Sequence, residues 1–258
     1  MPLPPEIDTA MHRAHIDAMR LVAAALPGAE TARVGEWFVY DAGVENPEFN
    51  VAYVAGDADG AAGQLSAVAA WFTARGADWR FKLRTGTEDG VIAALAGRSI
   101  ETPRREPFLA ISLDQVAEDA LESMVKPVMS RDDLAAYESF DLVRGRPAEW
   151  SIAGAVMDLP GCSLWLARAA DGTPVARAMS VALGPVATVH NVFVGDAFRR
   201  RGYGRAVTAA ALHAARRAGC EHGGLGASEL GYPLYLAMGF ERRYDLATFA
   251  PSPPPVPG

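Results

Sequence analysis

Three consecutive arginines, Arg199, Arg200 and Arg201, run directly into Gly202-Tyr203-Gly204 and then Arg205. Forked guanidinium donors suit oxyanions such as phosphate. Glycines let a backbone approach a ligand closely. An Ala-rich segment follows from Ala206, and a helix starting there would present its first free amides to the same anion. Upstream, Val189, Val192, Phe193 and Val194 have the β-branched or aromatic character of a strand, and Gly195-Asp196 ends it. The stretch therefore reads as strand, basic glycine loop, helix, with a phosphate-bearing ligand implied.

Three nucleotide-binding patterns compete for this loop. A Walker loop requires G-x-x-x-x-G-K-[ST], and no such run surrounds Gly202. A dinucleotide turn requires G-x-G-x-x-G close behind a strand. Here Val207 holds the third glycine position and a seven-residue connection intervenes, although Glu221 lies about where a ribose-binding acid would sit. The third pattern, [Q/R]-x-x-G-x-[G/A] after a Val-ending strand, is matched by Arg199 to Gly204. A second motif lies downstream. Residues 227 to 240 read Ala-Ser-Glu-Leu-Gly-Tyr-Pro-Leu-Tyr-Leu-Ala-Met-Gly-Phe, with Leu-Tyr-x-x-x-Gly-Phe at the end.

These two motifs, in this order and one helix plus one strand apart, resemble the GCN5-related N-acetyltransferase (GNAT) superfamily over roughly residues 124 to 249. The resemblance implies an α/β (α+β) fold with a mixed, mostly antiparallel central sheet flanked by helices. It implies acetyl-CoA as co-substrate and transfer of its acetyl group to a primary amine by direct attack. It also implies roles. Backbone groups of Val192, Phe193 and Val194 would pair with the pantetheine arm. The amides from Arg199 through Arg200, Arg201, Gly202, Tyr203 and Gly204 to Arg205 would hold the pyrophosphate. Many members carry an Asn seven residues before the motif tyrosine; Ser228 stands there, with a shorter reach. Tyr235 would be the general acid that protonates the departing thiolate, whose reference pKa is about 8.5.

The amine must also lose a proton before it can attack. His190, His222, Glu221 and Glu229 are candidate bases, with His190 favoured by its place ahead of the cofactor strand and its titration near neutrality. The base stays unassigned at this point. A non-catalytic acyl-CoA sensor on the same fold is the alternative to an enzyme, and a nicotinamide-dependent enzyme is the third reading.

The elements around the motifs fit the first reading. Ser163–Ala169, Pro174–Ala182 and Val186–Val194 form three consecutive antiparallel strands, joined by Asp171-Gly172 and Gly184-Pro185 turns. A dinucleotide-binding domain would alternate strands with helices instead. Helices are expected near 130–140, where Ser130 is an N-cap, and near 147–157, starting at Pro147. A further helix spans 229–238, and a last strand runs from Gly239 to Phe249.

Residues 1–118 repeat the same order: strand, loop, helix, strand, helix, strand. A helix at 8–26 precedes strands at 36–41 and 48–55, a helix at 61–75, a strand at 78–84, a helix at 87–97 and a strand at 106–113. His12 and His15 are expected to be partly exposed polar positions. The equivalent loop, Ala55-Gly56-Asp57-Ala58-Asp59-Gly60, has no arginine and two aspartates, which repel a pyrophosphate. This half is expected to be a degenerate GNAT-like or cap domain that does not bind CoA, followed by the transferase domain at 119–250. The tail 251–258 is Pro-rich and expected to be disordered.

Composition sets the remaining bounds. The 258 residues are half hydrophobic, with net charge −7. That balance argues against a general nucleic-acid binder and makes the arginine cluster a local exception. No apolar run approaches the roughly 20 residues of a membrane span. The start, Met-Pro-Leu-Pro-Pro-Glu, lacks the basic and apolar segments of a signal peptide. Cys162 and Cys220 suggest neither a disulfide framework nor a zinc site. A cytoplasmic protein is expected, acting on a small-molecule or peptide amine, without nucleic-acid or membrane partners. Nothing in the sequence selects the acceptor or decides between monomer and homodimer.

Overall fold

The computed structural model describes residues 3–44, 46–96, 103–143 and 151–251. The chain divides into two compact units, one of residues 1–18 with 108–243, the other of 19–107 with 244–258. Each is built on its own set of paired strands.

In the 108–243 unit, alternating apolar residues and tight turns produce an antiparallel meander. It comprises β6 (Val125–Pro127), β7 (Cys162–Arg168), β8 (Pro174–Leu183) and β9 (Val186–Val194). Helix α5 (Arg131–Val143) lies between β6 and β7 in the chain. Ser130 caps it, its Oγ accepting from the Asp133 amide at 3.1 Å. Of the helix expected at 147–157, only α6 (Ala153–Val156) falls within the described residues; 144–150 lie outside them. Helix α7 (Tyr203–Arg217) follows β9, then β10 (His222–Gly226), α8 (Tyr232–Ala237) and β11 (Glu241–Phe249).

The small-residue stripe of α7 explains its seat on the sheet. Ala206, Val207, Ala210 and Ala211 are buried with Ala178, Ala187 and Val189 in one cluster. Short side chains on both partners allow close approach, so burial is achieved without large residues. On another part of β8, Arg177 is 1 % exposed. It donates to Asp141 of α5 through two bonds of 2.8 and 2.5 Å and to the Tyr137 carbonyl oxygen at 2.9 Å. A buried guanidinium of this kind requires its carboxylate, because removing one partner strands the other charge.

In the 19–107 unit, β1 (Glu30–Val34), β2 (Trp37–Asp41) and β3 (Asn50–Val54) are antiparallel neighbours. β3 runs parallel to β4 (Arg80–Arg84). Strand β1 was not expected: Glu30-Thr31-Ala32-Arg33-Val34 has only Ala32 and Val34 as its apolar face, a short signal at a sheet edge. The expected helix at 61–75 is two helices, α2 (Ala58–Ala62) and α3 (Leu65–Thr73), separated by Gly63-Gln64. The Gln64 side chain accepts the Glu36 amide at 2.7 Å, which fixes this break. Helix α4 (Asp89–Leu95) follows β4. Aromatic rings dominate the core here; Phe72 stacks on Trp79 with centroids 4.3 Å apart.

The units do not follow the chain-order division at residue 118. Strand β5 (Arg104–Ser112) lies in the first half of the sequence but pairs antiparallel with β10. β11 lies in the second half but pairs antiparallel with β4. The first part of α1 (Ile7–Ala25) belongs with 108–243. The Pro-rich segment 252–258 lies outside the described residues.

Candidate functional site

Strands β9 and β10 are parallel neighbours for three residue pairs only: Val186 with His222, Ala187 with Gly223 and Thr188 with Gly224. β9 continues to Val194 and β10 to Gly226, and the two part beyond Thr188. Beyond Thr188, β10 no longer flanks β9 as a ladder neighbour. A bulge lies in the same stretch. The β8–β9 register shifts between Arg177 and Met179, and Asn191 opposite has φ of 53°. An extra residue in the left-handed region twists the strand and re-aims the residues after it. Val192, Phe193 and Val194, all half-buried, follow the bulge along the opened edge.

The basic loop begins where β9 ends. Asp196–Phe198 form one 3₁₀ turn, Arg200 has φ of 60°, and Gly202 has φ of 89° as the cap residue of α7. At this cap a glycine is needed, because an L side chain rarely adopts that conformation. Gly202 also has no side chain to bond the opening amides of α7. Gly204 sits in a close contact. A Cβ there would lie 3.2 Å from Leu234 and 3.3 Å from Val194.

The arginines have separate surroundings. Arg199 pairs with Asp196 at 2.6 Å on the surface. Arg201 lies 5.8 Å from the Phe198 ring centroid. Arg205 is 3.4 Å from Asp119 and donates to the Ala237 carbonyl at 3.3 Å, so its side chain braces α7. Arg200 and Arg201 are exposed. Tyr203 packs edge-on to Phe198 with centroids 6.4 Å apart.

Tyr235 sits on α8, buried at 6 % exposure in the cluster beneath α7. Its hydroxyl contacts the Thr208 side chain, whose own hydroxyl donates to the Gly204 carbonyl at 2.8 Å. Burial pushes the Tyr235 phenol up to about 12, with the Thr208 contact opposing. Ser228 is exposed, and its Oγ accepts from the Gly231 amide at 3.2 Å, which supports the turn into α8. The structure thus brings together the end of β9, the basic loop, α7 and α8. Tyr235 and Ser228 are each tied to a neighbour within that group.

Of the candidate bases, His190 lies beside the bulge where the strands part. It is half-buried, with Nε2 2.9 Å from Thr188 Oγ1. His222 lies at the paired end of β10, and Glu221 and Glu229 are exposed. The His15 ring is 5.7 Å from the His190 ring and 5.6 Å from Phe108. His12 and His15 are each 8 % exposed, which corrects the expectation of partly exposed positions. The reason is tertiary: Gly224 has no side chain, and a Cβ there would meet Met11 at 2.8 Å, so α1 seats closely on β10. Thr208, Asn191 and His15 carry no motif of their own. Only the helical spacing of Met11 and His15 hinted that they share a buried face.

Among the described residues no group of three or more His, Cys, Asp or Glu could hold a metal ion. No helix there is long and apolar enough to cross a membrane.

Comparison with known proteins adds the following. A profile described as the Acetyltransferase (GNAT) family matches residues 130–240. A GCN5-related N-acetyltransferase from Kribbella flavida is 20 % identical, with 93 % of this chain and 95 % of that chain covered and a TM-score of 0.72. A tandem GNAT protein from the clavulanic acid biosynthesis pathway is 14 % identical, with 100 % and 99 % covered and a TM-score of 0.65. A GCN5-related N-acetyltransferase from Sphaerobacter thermophilus is 16 % identical, with 84 % and 81 % covered and a TM-score of 0.61. No curated protein matches. At these identities the structural likenesses establish the fold, and the profile match covers residues 130–240.

Proposed function

We propose, from the premise that residues 130–240 are a GNAT domain within a tandem GNAT fold, that this protein transfers an acetyl group from acetyl-CoA to a primary amine by direct attack. One observation carries the reading: a strand pair that parts at the base of a basic loop opening a helix. The opened edge of β9 offers backbone partners to the pantetheine amides at Val192, Phe193 and Val194. The opening amides of α7, with Arg199, Arg200 and Arg201, hold the diphosphate. An anion there gains both from the helix end and from charge-assisted hydrogen bonds.

His190 is the proposed base. It lies beside the opened edge, and a neutral imidazole can take the proton an ammonium must lose before its lone pair reaches the thioester carbon. The amine nitrogen then bonds that carbon, the tetrahedral adduct collapses, and the carbon–sulfur bond breaks. Tyr235 is the proposed donor to the departing sulfur. With its phenol near 12 it is a weaker acid than a thiol, so hydrogen-bond donation to the thiolate is its main contribution. To act, its hydroxyl must exchange Thr208 for sulfur.

That requirement favours a second reading, an acyl-CoA-binding sensor without turnover. One experiment separates them. Isothermal titration with acetyl-CoA should give saturable binding, and free-thiol release with a panel of primary amines should follow. No binding at millimolar acetyl-CoA rejects both readings, and binding without thiol release across the panel selects the sensor.

A further inference from the structure

Residues 113–124 connect β5 to β6 and run alongside α7 as a strap. The strap and the helix border a cleft of about 760 Å³ that includes Glu122 and His213. Two strap carboxylates each divide their oxygens between the strap and the helix. Asp119 accepts the Leu121 amide at 2.9 Å with Oδ1, while Oδ2 lies 3.4 Å from Arg205 Nε. Glu122 accepts the Asp119 amide at 2.9 Å with Oε1, while Oε2 lies 2.9 Å from His213 Nδ1. The other ring nitrogen of His213, Nε2, is 3.1 Å from the Val116 carbonyl oxygen. The His213 ring thus bridges two points of the strap, the Glu122 carboxylate and the Val116 carbonyl. The strap also reaches the loop: a Cβ on Gly202 would be 3.1 Å from Leu121 Cδ1.

We propose that His213 and Glu122 are positioning residues for the acyl carrier. They fasten the strap, and the strap sets the first turn of α7 through Asp119 on Arg205 and Leu121 on Gly202. This rests on the reading that residues 199–205 bind the diphosphate. Direct charge action by His213 on the diphosphate is a poor alternative. Eight residues of helix separate it from Arg205, roughly 12 Å, which exceeds the ~8 Å screening length at physiological salt.

His213→Gln and His213→Arg test the proposal. Glutamine donates on one side only, whereas arginine donates on several. Losing one charge-assisted bond should raise the Kd for acetyl-CoA about five- to tenfold in His213→Gln. The kcat at saturation should stay within about twofold, since no reacting atom is touched. Amide exchange over Gly202–Ala206 should accelerate, and His213→Arg should restore binding and protection. Wild-type affinity in His213→Gln, a change in kcat alone, or no recovery in His213→Arg overturns the proposal. If His213→Gln does not fold, Leu121→Ala replaces it, with raised Kd and faster exchange expected and unchanged values contrary. Failure of the underlying reading looks different: the wild type itself then shows no acetyl-CoA binding.

Discussion

The two halves carry the same strand–loop–helix–strand order and treat its loop in opposite ways. β3 and β4 are parallel over three pairs, Val51 to Tyr53 with Arg80 to Lys82, as β9 and β10 are. After β9 the loop is basic and its helix cap has no side chain. After β3 the loop amides are already taken. Glu36 Oε2 accepts from the Asp57 amide at 2.8 Å, and Asp57 Oδ2 accepts from the Gly60 amide at 2.9 Å. The Glu36 carbonyl accepts from Ala55 and Gly56. A Cβ on Gly56 would lie 1.8 Å from Glu36 Oε2, so a side chain there would displace the carboxylate. One half keeps an anion position open; the other supplies its own anion. The expectation that two aspartates would repel a pyrophosphate therefore has a fuller physical form, in which the protein's carboxylates occupy the donors a phosphate would need. On this basis the first half is proposed to support the fold without binding CoA.

The most forceful way to break this contrast is to make the second loop resemble the first in charge. Arg199, Arg200 and Arg201 all replaced by Glu should weaken acetyl-CoA binding by more than about a thousandfold, since three charge-assisted contacts contribute roughly 1.5–3 kcal/mol each. Titration calorimetry reads this, and affinity within tenfold of wild type would place the diphosphate elsewhere. Next is Tyr235→Phe. It should lower kcat by about tenfold to a hundredfold while leaving the acetyl-CoA Kd unchanged, the lower part of the range expected when a group donates a hydrogen bond rather than a full proton. Unchanged kcat would leave Tyr235 as a core residue.

The first half offers the reverse test. Glu36→Ala with Asp57→Ala should cost about 1–2 kcal/mol by denaturant unfolding through the lost cap, with acetyl-CoA affinity unaltered. A changed affinity would mean the first loop takes part in binding.

The smallest effect concerns pH. Burial raises the folded Tyr235 phenol to about 12 from an ordinary 10.0. Its contribution is complete below pH 10 and is lost as pH climbs toward 12, because the unfolded state ionises first. At pH 11 wild type should have lost about 1 kcal/mol more than Tyr235→Phe, relative to each protein at pH 8. Parallel stability curves for the two proteins would contradict the burial of the hydroxyl.

Much of the site was legible because its signals are local. Arg199–Gly204 and Leu234–Phe240 read directly as loop and helix motifs, since glycine placement and charge act within a few residues. The β7–β8–β9 meander was equally legible from apolar alternation and the Asp171-Gly172 and Gly184-Pro185 turns. Strand β1 was not, since its apolar face consists of Ala32 and Val34 alone. Nor was the burial of His12 and His15, which depends on the missing side chain of Gly224, some two hundred residues away. The self-capped first loop was half legible: Asp57 and Asp59 stood out, but Glu36, which holds the loop, lies 21 residues from Asp57.

From sequence alone came the order of elements, the basic glycine turn and the family resemblance over the second half. All follow from backbone preferences and patterning that act over a turn or two. Tertiary structure alone decided that β5 pairs with β10 while β11 pairs with β4, that Tyr235 leans on Thr208, and that His213 clasps the strap. Those outcomes depend on which distant surfaces meet. A strand or a buried hydroxyl takes whichever partner the packed chain brings to it, and local propensity carries no record of that partner.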